Sequence, residues 1–305
     1  MATKRKVWKP RTLKEVREVQ TLIGTSNYCF VSGGTWLRTQ WEAKLKEMPL
    51  HLISLEDILE MKKIREVPSS NGIMIKIGAL STLSDCIENQ FIKKYVQTLF
   101  HACKRIAAPS IRHQGTIGGN IMTAVGDTIP ALLIYQTKLN WFDGEKVEAE
   151  PLEKWLTDFQ INPHSKNRIL IDIEILVEKE FEKENFSFFT KIGRRETFTP
   201  AIISVAGKGK IQPTGQLQNV ALAVGGGTVL PRRLYRTELE LETKKFSVAL
   251  IQKVHKIIKE EYETNGDTFH SISYKKTVAA NLITCELIEL IERFEEGGEI
   301  YASEM

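Results

Sequence analysis

Two glycine pairs, each set behind an apolar run, constrain this chain more than any other feature: Tyr28-Cys29-Phe30-Val31-Ser32-Gly33-Gly34-Thr35, and Gly115-Thr116-Ile117-Gly118-Gly119-Asn120-Ile121. Glycine accepts positive φ and has no Cβ to hold a ligand away from its amide, so consecutive glycines at a strand end can form a nest for phosphate oxygens. Two nests can hold a diphosphate. A plain tight turn is the competing reading of either pair alone. The short polar side chains beside them, Ser32 and Thr35, then Thr116 and Asn120, suit hydrogen bonds to phosphate or polyol hydroxyls. Neither stretch is a P-loop, which needs Gly-Lys-Ser/Thr, and neither is the Rossmann G-x-G-x-x-G. Gly225-Gly226-Gly227 also fails that pattern, because Pro231 closes the segment before a helix can start. A nicotinamide-type dinucleotide fold is therefore disfavoured.

With 305 residues, 42% hydrophobic and 26% charged, the chain is long enough for about two domains and needs no covalent staples. Its 42 basic and 38 acidic residues are mixed along most of the sequence, which gives no broad basic face for nucleic acid. The basic cluster Lys4-Arg5-Lys6 reads as a solvated terminus. It is followed by Val7-Trp8-Lys9-Pro10 rather than an apolar leader, and no run reaches the roughly 18 apolar residues of a membrane span, so the expectation is a cytoplasmic protein. Cys29, Cys86, Cys103 and Cys285 are scattered without a Cys-x-x-Cys, and the histidines are equally dispersed, so neither zinc nor an iron–sulfur cluster is encoded within the chain. The cysteines read as buried or free thiols.

Apolar spacing predicts a helix from Thr12, as N-cap, to Gln20, then strands Tyr28 to Ser32 and His51 to Leu55, with Glu56 to Lys63 as a charged helix or turn. Gly72 to Ile77 alternates like a strand, Ser81 opens a helix, and Phe91 to Ala107 reads as one helix stopped by Pro109. Asp127 precedes Thr128 to Tyr135, where it could cap that helix, touch a ligand, or do both. Arg168 to Ile175 is a strand, and the charged Glu178 to Asn185 is the expected domain boundary. Beyond it, strands Phe186 to Lys191, Ala201 to Gly207 and Gln218 to Val224 precede helices Val248 to Tyr262 and Lys275 to Phe294. This is an antiparallel sheet with helices on one face, an α+β domain. The tract Glu295 to Glu299 reads as frayed.

The blocks Ser32-Gly33-Gly34-Thr35, Thr116-Ile117-Gly118-Gly119-Asn120-Ile121, Gly126-Asp127-Thr128-Ile129-Pro130, Lys191-Ile192-Gly193-Arg194-Arg195 and Tyr274-Lys275-Lys276 occur in the order found in the FAD-binding (medium) subunits of molybdenum hydroxylases. In this respect the chain resembles the xanthine dehydrogenase and aerobic carbon monoxide dehydrogenase type. The likeness runs from Trp8-Lys9-Pro10 to the Tyr274 segment, and Thr-Ile-Gly-Gly-Asn is its most specific part. It implies an α+β architecture: a two-subdomain FAD-binding fold of the vanillyl-alcohol-oxidase (PCMH) type over residues 1–178, with subdomains of about 1–57 and 58–178. A smaller α+β C-terminal domain over 185–294 and a flexible tail over 295–305 would follow.

Carried over position by position, the resemblance implies that Val31, Ser32, Gly33, Gly34, Thr35, Trp36 and Leu37 wrap the FAD diphosphate. Thr116, Ile117, Gly118, Gly119, Asn120 and Thr123 would complete the cradle. Ile106 would lie near the flavin ring, Asp127 would bind a sugar hydroxyl, Leu170 would pack on the adenine side, and Lys191 would reach the flavin region from the C-terminal domain. A solvated strand lysine is the alternative reading of Lys191. Three departures stand out: the loop before Asp127 is two residues shorter than usual, Trp36 replaces an aspartate, and Tyr274-Lys275-Lys276 replaces Tyr-Arg-Arg. The implied partners are a small [2Fe–2S] subunit and a large molybdopterin subunit in a heterotrimer. Electrons would pass to NAD or another acceptor, and family frequency points to a xanthine or purine dehydrogenase. No catalytic side chain is assigned. Two other readings fit the same cradle: a self-contained flavin oxidoreductase, and a non-enzymatic nucleotide-binding assembly protein.

Overall fold

The computed structural model describes residues 5–24, 27–161, 168–178, 186–194, 201–227 and 229–295. Strand β1 (Lys6–Trp8), helix α1 (Leu13–Ile23), β2 (Tyr28–Val31), α2 (Thr35–Glu42) and β3 (His51–Ser54) form the first unit. Its three strands are parallel in the order β1-β3-β2, with Ile53 between Trp8 and Phe30. As expected, Thr12 caps α1: its hydroxyl accepts from the Glu15 amide at 3.1 Å, while the Glu15 carboxylate accepts from the Arg11 amide at 2.8 Å.

A 3₁₀ turn at Leu59–Lys62 leads to β4 (Ile64–Ser69) and β5 (Gly72–Gly78). Six short helices follow: α3 (Leu83–Glu88), α4 (Gln90–Tyr95), α5 (Gln97–Lys104), α6 (Pro109–Arg112), α7 (Ile117–Ile121) and α8 (Ile129–Leu133). Strands β6 (Lys138–Phe142) and β7 (Val147–Pro151), helix α9 (Leu152–Ile161) and strand β8 (Ile169–Glu178) complete a five-stranded antiparallel sheet, β4-β5-β8-β6-β7. The alternation read in the sequence places Ile75 and Ile77 beside Ile175 and Ile173, and this row is fully buried under the helices.

Two expectations here are corrected. The helix read from Phe91 to Ala107 is two helices, broken at Val96, whose φ of −133° and ψ of 54° leave the helical region. Val96 is apolar, in phase and fully buried, so the periodicity carries no sign of the break. Pro109 does not merely stop a helix. It starts α6 from the first-turn position, where its missing N–H costs nothing.

The last third forms a meander, β9 (Phe186–Gly193), β10 (Ala201–Ile211), β11 (Leu217–Gly226) and β12 (Val229–Arg233), then α10 (Tyr235–Glu242), α11 (Val248–Glu261) and α12 (Ile272–Glu295). The expected boundary at 178–185 and the tail beyond Glu295 lie outside the described residues. Two apolar cores are present: one around Ile75, Ile117, Ile129, Trp141 and Ile173, the other around Ile203, Val205, Leu222, Val254 and Leu287. The meander belongs to both. Ile203, Val205, Leu222 and Val224 face α10 to α12, whereas Phe189, Ala206, Ala221 and Ala223 join the first core. The side away from α10 to α12 is therefore covered as well, by α5 and α8, and its central strands β10 and β11 carry small residues there: a Cβ on Gly225 would lie 2.9 Å from Pro130 Cγ.

All four cysteines are free thiols. Among the described residues no helix is long and apolar enough to cross a membrane, and none of the acidic, histidine and cysteine side chains gather into a metal-binding group.

One buried ion pair fastens α10 to the meander. Arg233 donates twice to Glu238, at 2.7 and 2.8 Å, and Glu238 also accepts from the Leu222 amide at 2.8 Å. Arg233→Met is expected to lower stability in urea unfolding by about 3–5 kcal/mol, because it strands a buried carboxylate. Adding Glu238→Gln should recover a share of that loss.

Candidate functional site

The first glycine turn carries the chain from β2 into α2. Gly34 sits in the left-handed region at φ +67° and occupies the N-cap of α2 without a side-chain cap. Its carbonyl accepts the first helical bond from Arg38, at 2.9 Å. Among the described residues the amides of Thr35, Trp36 and Leu37 have no protein acceptor, so they point out of the positive end of the helix.

The second turn is not a matching nest. Gly118 and Gly119 are helical residues of α7, without positive φ, and the amides of this turn are already engaged. Ile117 donates to Ser81, Gly118 to Ala79, both at 2.9 Å, and Gly119 to the Thr116 hydroxyl at 3.0 Å. Here glycine permits close approach. A Cβ on Gly118 would lie 2.6 Å from the Ala79 carbonyl oxygen, and one on Gly119 would lie 3.2 Å from Ser32 Oγ.

The two turns meet. A Cβ on Gly33 would fall 1.7 Å from the Gln114 carbonyl oxygen, and the Ser32 and Thr116 hydroxyls share a 3.0 Å hydrogen bond. Val31, Ser32, Thr35 and Leu37 are half-buried along this seam, whereas Trp36 is exposed.

Asn120 holds the next loop. Its side-chain oxygen accepts from the Thr128 hydroxyl at 2.6 Å and the Thr128 amide at 3.2 Å, and its carbonyl accepts from the Thr123 hydroxyl at 2.8 Å. Gly126 presses against it, with room for no Cβ. Asp127 is not the cap of α8: Thr128 takes the N-cap position and no side chain caps the helix. The Asp127 carboxylate instead meets Lys191 Nζ at 2.6 Å, both side chains being about nine-tenths buried (12% and 8% exposed).

Lys191 is thus no solvated strand lysine. It reaches from β9 across to α8 and also donates to the Arg105 carbonyl at 3.2 Å, next to Ile106. Leu170 is buried in β8. It adjoins Ile171, whose carbonyl accepts from Ala79, the residue that in turn accepts from Gly118.

Three residues near the site escaped the sequence reading. Arg112 donates to the carbonyls of Ile106 and Ala107, at 3.0 and 2.6 Å, which holds Ala107 at φ +45°. Ser204 pairs in register with Lys191 and Gly225, and its hydroxyl is buried without a partner. Glu286 accepts from Thr190 at 2.6 Å, and burial pushes its carboxyl above the usual range. Arg112 had a signal, an arginine closing a proline-started helical turn; Ser204 depends on strand register, and Glu286 on how α12 packs against β9. A separate cavity of about 580 Å³, lined by Lys14, Arg17, Glu18, Thr21, Leu22, Phe142 and Gly144, contains none of the expected site residues.

Unspent amides at a helix start, hydroxyls beside them and a carboxylate–ammonium pair on the loop that follows the second turn are the kind of groups that hold an anionic, hydroxyl-rich nucleotide. Residues 3–175 match the family described as the FAD binding domain in molybdopterin dehydrogenase. The chain belongs to this family. It is similar to the nicotinate dehydrogenase FAD-subunit of Eubacterium barkeri, 24% identical over 94% of this chain and 96% of that one. It also matches the carbon monoxide dehydrogenase medium chain of Hydrogenophaga pseudoflava, 34% identical over 40% of this chain and 42% of that one. A solved structure of carbon monoxide dehydrogenase from the same organism superposes with a TM-score of 0.83 at 20% identity, covering 95% of this chain and 98% of that one. That establishes the α+β fold expected from sequence. The chain is an FAD-binding oxidoreductase subunit of the molybdenum hydroxylase family.

Gly33 and Gly34 should respond differently to a methyl group. Gly33→Ala, which must push a pair of touching backbones apart, is expected to cost about 1–3 kcal/mol in urea unfolding. Gly34→Ala, with only an ordinary contact to Val31 at 3.6 Å but left-handed φ, should cost only about 1 kcal/mol.

Proposed function

We infer that this chain is the flavin relay of a multi-chain molybdenum hydroxylase, taking electrons from the [2Fe–2S] clusters of a small partner and passing them to NAD or another acceptor. The molybdopterin chain would hydroxylate the substrate. The observation that carries the reading is the set of free amides at the start of α2, set against the second turn, whose following loop carries Asp127 in its ion pair with Lys191. The residues fit FAD on chemical grounds. Three amides at a positive helix end match a diphosphate, and hydroxyls and a carboxylate match sugar hydroxyls.

In this reading Val31 to Leu37 bind the diphosphate chiefly through the amides of Thr35, Trp36 and Leu37. Since Ile117, Gly118 and Gly119 already donate within the protein, the second turn serves through the Ser32–Thr116 hydroxyl pair and through the closeness that its glycines allow. Asn120 and Thr123 fix the 122–128 loop and so orient Asp127. Asp127 and Lys191 hold the sugar and ring end, beside Ile106, and Leu170 backs the second turn from the core. FAD, when bound, supplies a centre that gains electrons singly and gives them up as a pair. The two cores support a division at 178–185 into a flavin domain and a C-terminal domain. Four free thiols accord with a cytoplasmic setting. Relatives named for nicotinate, carbon monoxide and xanthine leave a purine as one substrate class among several.

FAD titrated into the purified full-length chain should bind one to one, with a change in flavin fluorescence. Lys191→Met, which leaves Asp127 without its partner, should weaken binding by about tenfold or more. Full-strength binding by that variant would remove Lys191 from the site, and no binding by the wild type would end the reading.

A further inference from the structure

Between Glu88 and Asp127 the sequence carries Lys93, Lys94, Lys104, Arg105 and Arg112 and no carboxylate, as residues 197–237 also carry five cations and none. Helices α4 and α5 gather most of these cations on one exposed lobe. Lys93 Nζ and Lys104 Nζ lie 6.0 and 5.5 Å from the centre of the same Phe100 ring. His101 packs against that ring, and partial burial, then the fields of Lys104 and Arg105, push its imidazole below the ordinary value.

Among the described residues Lys93, Lys104 and Arg105 have no acidic side chain within ion-pair distance. The carboxylate whose field reaches Arg105 is Glu286, and it is bonded to Thr190. Arg112 stands outside the group, since its guanidinium is spent on two carbonyls. Clustered like charges repel, so Lys93, Lys104 and Arg105 bear an electrostatic cost that no ion pair among the described residues relieves.

The lobe also borders the site. The Arg105 carbonyl accepts from Lys191, and Ile106 follows directly. Electrons can enter only where a partner's cluster comes near the flavin, and this is the flavin end in the reading above. The cations come from two helices and are exposed around an aromatic ring, a spread that suits a protein surface better than a single small anion.

We propose that Lys93 and Lys104, either side of Phe100, together with Arg105 at the end of α5, dock an acidic face of the [2Fe–2S] partner chain. The inference rests on the relay reading, which supplies that partner. Complementary charge would steer the encounter and set its orientation, so complex formation would weaken steeply with salt.

The test uses the affinity-tagged full-length chain expressed in its own host, with the co-purifying chains identified by mass and by iron and flavin content. Lys93→Glu, Lys104→Glu and Arg105→Glu together should weaken retention of the [2Fe–2S] chain by at least about tenfold and flatten its salt dependence, while FAD stays stoichiometric. The charge-matched set Arg11→Glu, Lys14→Glu and Lys256→Glu should retain the partner like the wild type. Equal loss in both sets would reduce the effect to net charge and overturn the proposal. So would undiminished retention by the first set, or loss of its FAD, which would assign the cations to the cofactor site. A wild-type chain that binds FAD but brings down no [2Fe–2S] chain would instead refute the relay reading itself.

Discussion

Everything at the site depends on two backbone segments, far apart in sequence, touching with nothing between them. Gly33 lies so close to the Gln114 carbonyl that no side chain could stand there, and the Ser32–Thr116 hydrogen bond closes the same seam. This contact aims the uncapped start of α2 at the second turn. It also explains the division of labour between the glycine pairs: one pair leaves amides free, and the other allows a tight fit. Conformational freedom matters at Gly34, and sheer absence of bulk at Gly33, Gly118 and Gly119.

The C-terminal sheet completes what the first half of the chain begins. Lys191, Ser204 and Gly225 lie side by side on neighbouring strands, facing α8, so one face of the meander supplies a charge, a hydroxyl and an empty space to the same interface. The ion pair with Asp127 spans that interface. A buried pair contributes little net stability, because desolvation offsets most of its attraction, and its value lies in fixing geometry. The exposed cations Lys93, Lys104 and Arg105 continue the same region outward to the surface.

Much of this was legible in the sequence, for physical reasons. The clean alternation in β5 and β8 reports strands buried on one face, and Thr12 reports a helix start. The elements left unread have mixed signals. Strand β4 includes Pro68, Arg65 and Glu66, and β7 is Val-Glu-Ala-Glu-Pro; both are edge strands, where pairing on one side suffices and apolar content is low. The break at Val96 is invisible because burial demands the same residue on either side of it. At the site, the glycine pairs advertise themselves, but which amides remain free depends on Ser81 and Ala79, whose role only the folded chain discloses. Asp127 read as a helix cap because local sequence cannot see a lysine that arrives from β9.

The meander's second covered face bears on how such a chain can change over time. Ala206, Ala221, Ala223 and Gly225 would be a bare, sticky plane if the first half were absent, and α8 would lose its floor if the second half were. Drift along this seam is therefore tied on both sides, a methyl gained on one side requiring one given up on the other.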